Sequence, residues 1–187
     1  TDEDILAAAQ GAILEHGPSV STTMIANRLG MSQAALFKRF GTKERLFVAA
    51  LCRPISDNPL AAVVSAGPSD APIREQLIII GQGILAVMRS VVPCMAMLHA
   101  AGFDPKETLS QENAPPIQGR KLLTAWLQRA MNQGRIQSAD PQVLAVGFIG
   151  MLKTRPFRET ILGDHALDCS DADYVTQLVD LLWTGIE

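Results

Sequence analysis

The sequence predicts an all-α protein in which a small N-terminal unit, residues 1–52, precedes a larger helical unit, residues 53–187. Apolar residues recur at helical spacing along most of the chain, and glycine or proline ends each such stretch. The 187 residues are 48% apolar, which is enough to bury a core in one or two domains. The chain reads as helices without strands.

Residues 21–40 predict two short helices joined by a glycine turn. Ser21 is a good N-cap, because its hydroxyl can accept a hydrogen bond from an amide of the first turn. The apolar residues expected on one side of this first helix are Met24, Ile25 and Leu29. Gly30 follows them and can take the positive φ that closes such a helix.

Ser32 is the N-cap of the second helix. The residues expected to point inward from it are Leu36, Phe37 and Phe40. A helix, a glycine turn and a helix of this size form a helix-turn-helix, in which the second helix enters the major groove of DNA. A helix ending at Gly17-Pro18 precedes this motif, and Thr42 caps a fourth helix that leads away from it.

This pattern resembles the N-terminal domain of the TetR (tetracycline-repressor-like) family of bacterial one-component regulators over residues 4–52. The matching residues are Ile5-Leu6-x-Ala8-Ala9, Gly17, Thr23-x-Ile25-Ala26-x-x-Leu29-Gly30 and Leu36-Phe37-x-x-Phe40-x-x-Lys43-Glu44-x-Leu46. The remaining chain is similar to the family's variable effector domain only in length and helical content. The family usually has a tyrosine where this chain has Phe37, so a hydroxyl contact to phosphate is missing, and Lys38 or Arg39 is the candidate replacement.

Positive charge is concentrated in the predicted DNA-binding segment. From Arg28 to Arg53 there are six basic side chains and one acidic one, a net charge of +5. The whole chain carries −3, which leaves −8 for the remainder. A positive face on an acidic body is typical of a DNA-binding protein, although a solvated helix face is the alternative.

Gln33 lies at the tip of the second helix, where its amide can bond to both the donor and the acceptor of adenine, for about 1–3 kcal/mol of discrimination. Ala34 and Ala35 allow close approach and can touch a thymine methyl. The other residues predicted to contact DNA are Ser21, Thr22, Thr23, Ser32, Phe37, Lys38, Arg39 and Lys43. Free amides at a helix start favour phosphate, and Lys43 matches a family lysine that contacts the DNA backbone. Capping alone remains the alternative for Ser21 and Ser32, and simple exposure is the alternative for Gln33.

Beyond the N-terminal unit, the chain is expected to break at Pro54, at residues 56–59 and at residues 67–72. The first predicted elements are a buried helix from Ile73 to Val92 ending at Pro93 and a short helix from Cys94 to Ala101. A loop, with room for one helical turn, is expected from Phe103 to Pro116, and a helix from Ile117 to Gln133 follows it. The last two predicted helices run from Gln142 to about Lys153 and from the capping box Ser170-x-x-Asp173 to Ile186.

The last two helices are apolar nearly all round, so one subunit cannot bury every face of them. Pairing with their twofold mates would form a four-helix interface, and the family is commonly dimeric through its last two long helices. The residues predicted at this interface are Phe148, Met151, Tyr174, Leu178 and Leu182. A homodimer would place two recognition helices about one DNA turn apart, where they read a palindromic operator.

The resemblance implies an effector pocket between the DNA-binding unit and the dimer helices. The candidate lining residues are Met88, Met95, Leu98, His99, Phe103, Trp126 and Phe148, because methionines and aromatics suit adaptable apolar cavities. Ordinary core packing is the alternative for each of them. Few ionisable residues lie in this region, so we expect an apolar or weakly polar organic effector, while Arg89 leaves open an anionic one.

These observations favour a ligand-responsive transcriptional regulator, most simply a repressor that an effector releases from its operator by changing the spacing of the recognition helices. A constitutive sequence-specific or architectural DNA-binding protein is the alternative, and an activator is also open.

Other functional classes find little support in the sequence. There is no phosphate-binding glycine loop, nucleophile elbow or metal-spaced set of histidines, so we expect no enzyme activity, no catalytic residue, no cofactor and no metal. Three distant cysteines, no secretory signal and no uninterrupted apolar run of spanning length predict a cytoplasmic protein without a membrane partner.

Overall fold

The computed structural model describes residues 1–53, 58–104, 106–112, 114–165 and 167–186, and the side chains of Glu107 and Thr108 are not described. Within these ranges the chain is helical and contains no strand. The all-α prediction is therefore confirmed. The breaks predicted at Pro54 and at residues 56–57 lie outside the described residues.

The N-terminal unit contains helices α1 (Asp2–His16), α2 (Thr22–Arg28), α3 (Gln33–Phe40) and α4 (Lys43–Leu51). Each begins after a hydroxyl residue whose side chain accepts a hydrogen bond from an amide of the first turn, which satisfies a donor that has no partner within the helix. These N-caps are Thr1, Ser21, Ser32 and Thr42. Helix α1 packs against α4 and α2, and α3 packs against α2 and α4.

Gly30 closes α2 with the positive φ that the sequence predicts, 64°. The Met31 amide donates to the Ala26 carbonyl at 3.0 Å, and the Gly30 amide donates to the Asn27 carbonyl at 3.1 Å. This is the hydrogen-bond pattern of a Schellman motif, which satisfies the last carbonyls of α2 and turns the chain toward α3.

Two side chains of α2 do not have the exposure that the sequence predicts. Met24 is 40% exposed, whereas Thr22 is only 5% exposed. Ile25, which the sequence places on the inward side, is buried together with Ala26, and α2 packs against α1 and α3. In α3, Leu36 is fully buried, while Phe37 and Phe40 are only partly buried against the same core.

The larger unit contains α5 (Leu60–Ala66), α6 (Ile73–Ala100), the single turn α7 (Lys106–Leu109), α8 (Pro115–Asn132), α9 (Pro141–Phe157) and α10 (Asp171–Trp183). A π-helical turn at Arg158–Leu162 continues α9. Helix α6 is central, because α5, α9 and α10 all pack against it, and α8 packs against α5 and α9.

Helix α6 does not end at Pro93, and the separate helix predicted from Cys94 to Ala101 is wrong. Proline has no amide hydrogen, so one hydrogen bond of the helix is lost at this position. The residues on either side nevertheless bury apolar side chains, Val91 and Val92 before it and Leu98 after it, and this burial favours continuing the helix.

The length of α6 also bears on the expectation that no segment is long enough to span a membrane. By length and composition alone, α6 is the one helix in the described part of the chain that could do so. It is also the central helix on which α9 and α10 pack. The core helix of a soluble protein can have the same length and composition, so these two properties are weak evidence for a membrane span.

The remaining helix boundaries differ by a few residues from the prediction. Helix α8 begins at Pro115 rather than Ile117, since proline is tolerated in the first turn. Helix α9 extends past Lys153 to Phe157 and includes the buried Pro156. The Ser170 hydroxyl oxygen accepts from the Asp173 amide at 3.1 Å, as the capping box predicts.

Two apolar cores share α6. Its residues up to Leu85 pack with α8, α9 and α10, whereas Cys94 and Leu98 belong to the core of the N-terminal unit. Gly81 permits the close approach of α10, because a Cβ there would lie 2.7 Å from Cγ1 of Val175. The three cysteines are free, and burial raises the pKa of Cys52 to about 11.

Candidate DNA interface and effector cavity

The helix-turn-helix presents an exposed surface formed by the start of α3 and the start of α2. Of the predicted DNA contacts, seven are exposed: Ser21, Thr23, Ser32, Gln33, Ala34, Lys38 and Arg39. Three are partly buried: Ala35, Phe37 and Lys43. Because Leu36 anchors the opposite side of α3 in the core, the face that carries Gln33, Ala34 and Lys38 is turned to solvent.

Gln33 is held in place by a residue of the preceding helix. Its Nε2 donates to Oγ1 of Thr22 at 2.7 Å. Thr22, which accepts this hydrogen bond, is buried. The sequence predicted a contact between the Thr22 side chain and phosphate, and this burial does not fit such a contact. The exposed hydroxyls nearby, on Ser21 and Ser32, cap α2 and α3 by accepting from Met24 and Ala35 amides.

Two arginines of the positive segment are paired with acids of α1. An Arg39 Nη atom lies 2.5 Å from Asp2, and an Arg28 Nη atom lies 2.8 Å from Glu15, where this cation lowers the pKa of the Glu15 carboxyl. Both pairs are exposed, and exposed ion pairs contribute little in water. A DNA phosphate can therefore replace the carboxylate partner of Arg39 at small cost.

Lys43 begins α4 and lies over two aromatic rings. Its Nζ is 5.0 Å from the ring centroid of Phe47 and 5.7 Å from that of Phe103. Phe103 follows α6, so a residue of the larger unit orients a predicted phosphate contact through a cation–π interaction. The sequence singled out Phe103 for the effector pocket and gave no sign of this position.

The predicted pocket residues fall into four places. Met88 lines the cavity described below, whereas Met95, Leu98 and Phe103 pack against the core of the N-terminal unit. Trp126 and Phe148 are buried in the core of the larger unit. His99 is exposed near the end of α6. Met95 and Leu98 were predicted to line the pocket, but they lie on the part of α6 after Pro93, which packs against the N-terminal unit.

The cavity lies between α5, α6 and the first turns of α8, with a volume of about 700 Å³ counting the part open to solvent. Apolar side chains form most of its wall, among them Leu60, Val64, Ile80, Ile84, Met88 and Leu123. Its charged lining residue is Arg120. Neither α5 nor a role of Arg120 was predicted from the sequence, although Pro115 and Pro116 are typical of the first turn of the helix that carries Arg120.

Two family models match the chain. The model of the tetR family of bacterial regulatory proteins matches residues 5–50, and the model of the C-terminal domain of AefR-like transcriptional repressors matches residues 75–182, more than half of the chain. The protein belongs to the TetR family. It is therefore a transcriptional regulator with an N-terminal helix-turn-helix and a C-terminal effector-binding domain, and its family relatives are regulators rather than enzymes.

Solved structures of TetR-family proteins share this fold at low sequence identity. A putative TetR-family regulator from Mesorhizobium loti has a TM-score of 0.73 and 19% identity, with 99% of this chain and 96% of that one covered. FadR from Bacillus subtilis, solved in complex with stearoyl-CoA, has a TM-score of 0.67 and 16% identity, with both chains fully covered. The flavonoid-responsive regulator FrrA has a TM-score of 0.70 and 19% identity, with 100% and 96% covered. No curated protein matches the sequence significantly.

Regulators of the TetR family typically dimerise, and several exposed apolar residues lie on α9, with one more on α10. Val143 is 68% exposed and Leu181 is 70% exposed, and Val146 and Phe157 are also exposed. Gly147 and Gly150 have open space where a Cβ would lie. Of the predicted interface residues, Met151, Tyr174, Leu178 and Leu182 are partly exposed, but Phe148 points into the core and is wrongly placed at the interface.

A cluster of four charges joins α6 to α9 and α10. Arg89 Nη1 donates to Glu159 at 2.6 Å, and Arg89 also binds Asp171 through two nitrogens. Arg155 Nε donates to Glu159 at 3.0 Å. These arginines hold the pKa of the Glu159 and Asp171 carboxyls below their usual range, chiefly through the hydrogen bonds from Arg89. Arg89 is therefore engaged within the fold and does not line the cavity.

Proposed function

We propose that this TetR-family protein is a ligand-responsive repressor, which binds a palindromic DNA operator as a homodimer and is released when a small organic effector occupies the cavity. Its recognition helix is α3, in which Gln33 and Ala34 reach base edges while Lys38, Arg39 and Lys43 bind phosphates. Its place of action is the cytoplasm, where the operator lies.

The observation that carries this proposal is the dual role of α6. Ile80, Ile84 and Met88 of this helix line the cavity, and Cys94 and Leu98 of the same helix pack in the core of the DNA-binding unit. A ligand that displaces the cavity wall therefore shifts residues on which the helix-turn-helix rests. Such coupling requires only that the ligand bind the shifted state more tightly than the DNA-bound one.

The dimer is supported by the exposed apolar residues of α9 and α10. A monomer that left Val143, Val146 and Leu181 in water would expose an apolar patch of the kind that marks protein–protein interfaces. Gly147 and Gly150 leave room for a partner helix to approach closely.

Relatives of this fold respond to chemically different effectors, as the stearoyl-CoA complex of FadR and the flavonoid response of FrrA show for those proteins. The fold alone therefore does not fix the effector of this chain. Its identity has to be argued from the cavity residues.

Selection of binding sites from random DNA duplexes with the purified full chain tests the proposal. We expect a palindromic consensus whose half-sites are about one helical turn apart. Affinity for this consensus should fall steeply with salt, since several phosphates are neutralised. A non-palindromic consensus, or no enrichment at low salt, would refute the proposed operator binding.

A compound screen on the operator complex then separates the proposal from its alternative. An effector that binds the protein should dissociate the complex. Stable operator binding with no response across chemically diverse ligands would instead favour a constitutive DNA-binding regulator.

A further inference from the structure

Apolar side chains form most of the wall of the effector cavity, and Arg120 is the one charged residue that lines it in the described part of the chain. Leu60 and Val64 of α5 face Ile80, Ile84 and Met88 of α6 across it. Asn58 also lines the cavity, but its Oδ1 already accepts from the Leu60 amide at 2.8 Å. Arg120 is thus the residue that would present a positive charge to an occupant of the cavity.

Arg120 stands apart from the other arginines in the described part of the chain. Arg28, Arg39, Arg74, Arg89, Arg155 and Arg158 pair with carboxylates, and Arg129 and Arg135 donate to backbone carbonyls. Arg45 and Arg53 also have partners. Among the described residues, no side-chain hydrogen bond or ion pair engages Arg120, although its side chain is partly buried.

Arg120 also borders a second, more open cavity on the other side of α8. Polar side chains line that cavity, including Lys121, Thr124, Gln128 and Gln142. Lys121 is already paired with Glu112 at 2.9 Å. Arg120 therefore lies where an apolar cavity meets a polar, solvent-open one.

Since Arg120 is unpaired among the described residues, its guanidinium is available to an anionic group. A ligand whose anionic group binds Arg120 while its apolar part fills the first cavity would form a charge-assisted hydrogen bond and bury apolar surface at once. The polar cavity beyond Arg120 gives the head group access to water or to further polar contacts.

From this arrangement we propose that the effector is an amphipathic anion, in which an apolar chain or ring system carries one anionic head group, and that Arg120 is the residue that selects the charge. This inference rests on the proposed ligand-responsive function and specifies the chemistry of its ligand. It differs from the apolar or weakly polar effector that the sequence led us to expect.

Isothermal titration of the full chain with three probes of equal chain length tests the charge selection. The probes are dodecanoate, 1-dodecanol and dodecylamine, each kept below its solubility limit and, for the two ionised probes, below the micellar concentration. We expect dodecanoate to bind more tightly than dodecanol, and dodecylamine to bind most weakly. Equal affinity for dodecanoate and dodecanol, or no binding of dodecanoate, would overturn the proposal.

Two substitutions locate the effect. Arg120→Gln should weaken dodecanoate roughly tenfold or more, the effect of losing a hydrogen-bonded charge, and leave dodecanol unchanged. Lys121→Gln removes the neighbouring cation and should change neither probe by more than about threefold. Ile84→Trp adds volume inside the apolar cavity and should weaken both probes. An Arg120→Gln protein that melts normally and binds dodecanoate as before would refute the role of Arg120.

DNA release is measured separately, so that the two proposals fail independently. If dodecanoate binds through Arg120 but never displaces operator DNA, the ligand-responsive function fails and the anion site stands. If an uncharged compound releases the DNA equally from the native protein and from Arg120→Gln, the function stands and the anion proposal fails.

Discussion

The rings of Phe47 and Phe103 are stacked, with centroids 5.8 Å apart and ring planes inclined by 21°. Phe47 lies in α4 of the DNA-binding unit, and Phe103 follows the end of α6. Lys43 lies over both rings. This contact joins the segment that would sense the effector to the start of a helix that would bind phosphate.

Phe103→Ala should therefore uncouple effector binding from DNA release. We expect operator affinity without effector to fall only slightly, because Lys43 keeps its contact with Phe47, while the effector concentration needed for release rises. The loss of stability should be about 1–2 kcal/mol, below the ~3–5 kcal/mol of a fully buried phenylalanine, because Phe103 is only partly buried. Phe103→Leu keeps apolar volume without the stack and serves as the control. Electrophoretic mobility shifts with and without effector, together with thermal melts, measure both quantities. An unchanged release curve in Phe103→Ala would contradict the coupling.

Gln33→Ala should relax sequence preference at one base pair of each half-site, because the bidentate contact to adenine is worth about 1–3 kcal/mol. Thr22→Val removes only the hydroxyl that holds Gln33 at 2.7 Å, so it should reduce the same preference by a smaller amount. Binding to operator variants with single substitutions reads out both effects. If Gln33→Ala weakens all operators equally, Gln33 acts as a general contact and the assignment is wrong.

Val146→Glu should dissociate the homodimer, since it places a charge on the exposed apolar face of α9 that is proposed to be covered by the partner. Ile79→Glu is the matched control, because Ile79 is 58% exposed but lies on α6. Sedimentation velocity at several concentrations distinguishes monomer from dimer. We expect loss of dimer only for Val146→Glu, and a dimer that tolerates this change would place the interface elsewhere.

Glu159→Gln should lower the free energy of unfolding at neutral pH by about 1–2 kcal/mol, since hydrogen bonds from Arg89 and Arg155 to a charged partner are weakened. The pKa of Glu159 is lowered in the folded state, so its stabilisation is complete above its ordinary pKa of 4.5 and is lost as pH falls through the lower folded value. The difference between the native protein and the variant should thus shrink in acid. Urea unfolding between pH 7 and pH 3 tests this, with the exposed Glu112→Gln as a control expected to show no measurable change. A difference independent of pH would show that the effect is not electrostatic.

The helix-turn-helix could be predicted from local signals, because serine caps, a glycine with positive φ and helical apolar spacing act within a few residues. Met24 and Thr22 were misplaced, since which side of a seven-residue helix faces inward depends on packing against α1. The continuation of α6 past Pro93, which the sequence did not predict, also depends on packing. A proline weakens a helix locally, but burial of Leu85 before it and Leu98 after it in two separate cores favours continuing the helix.

The cavity could not be predicted from residue types alone. Met95 and Leu98 look as suitable for an apolar pocket as Met88 does, yet only the path of α6 determines which of them faces the N-terminal unit. The position of Arg120 beside the cavity could not be predicted from the sequence either. Whether an arginine is paired depends on where the surrounding carboxylates lie in the folded chain.

Pro93 lies between two parts of α6 that are held by side-chain contacts. Four residues before it, the Arg89 side chain is bound by Glu159 and Asp171, and after it Cys94 and Leu98 are embedded in the DNA-binding core. Pro93 has no amide hydrogen to donate to the Arg89 carbonyl, and a helix bends more easily where such a hydrogen bond is absent. The segment beyond, Cys94 to Ala100, spans roughly 10 Å at 1.5 Å per residue. A change of a few degrees in the helix direction at Pro93 would therefore displace the end of α6 by several tenths of an ångström. The loss of one backbone hydrogen bond would be enough to let the cavity-lining part of α6 and the part in the DNA-binding core move relative to each other.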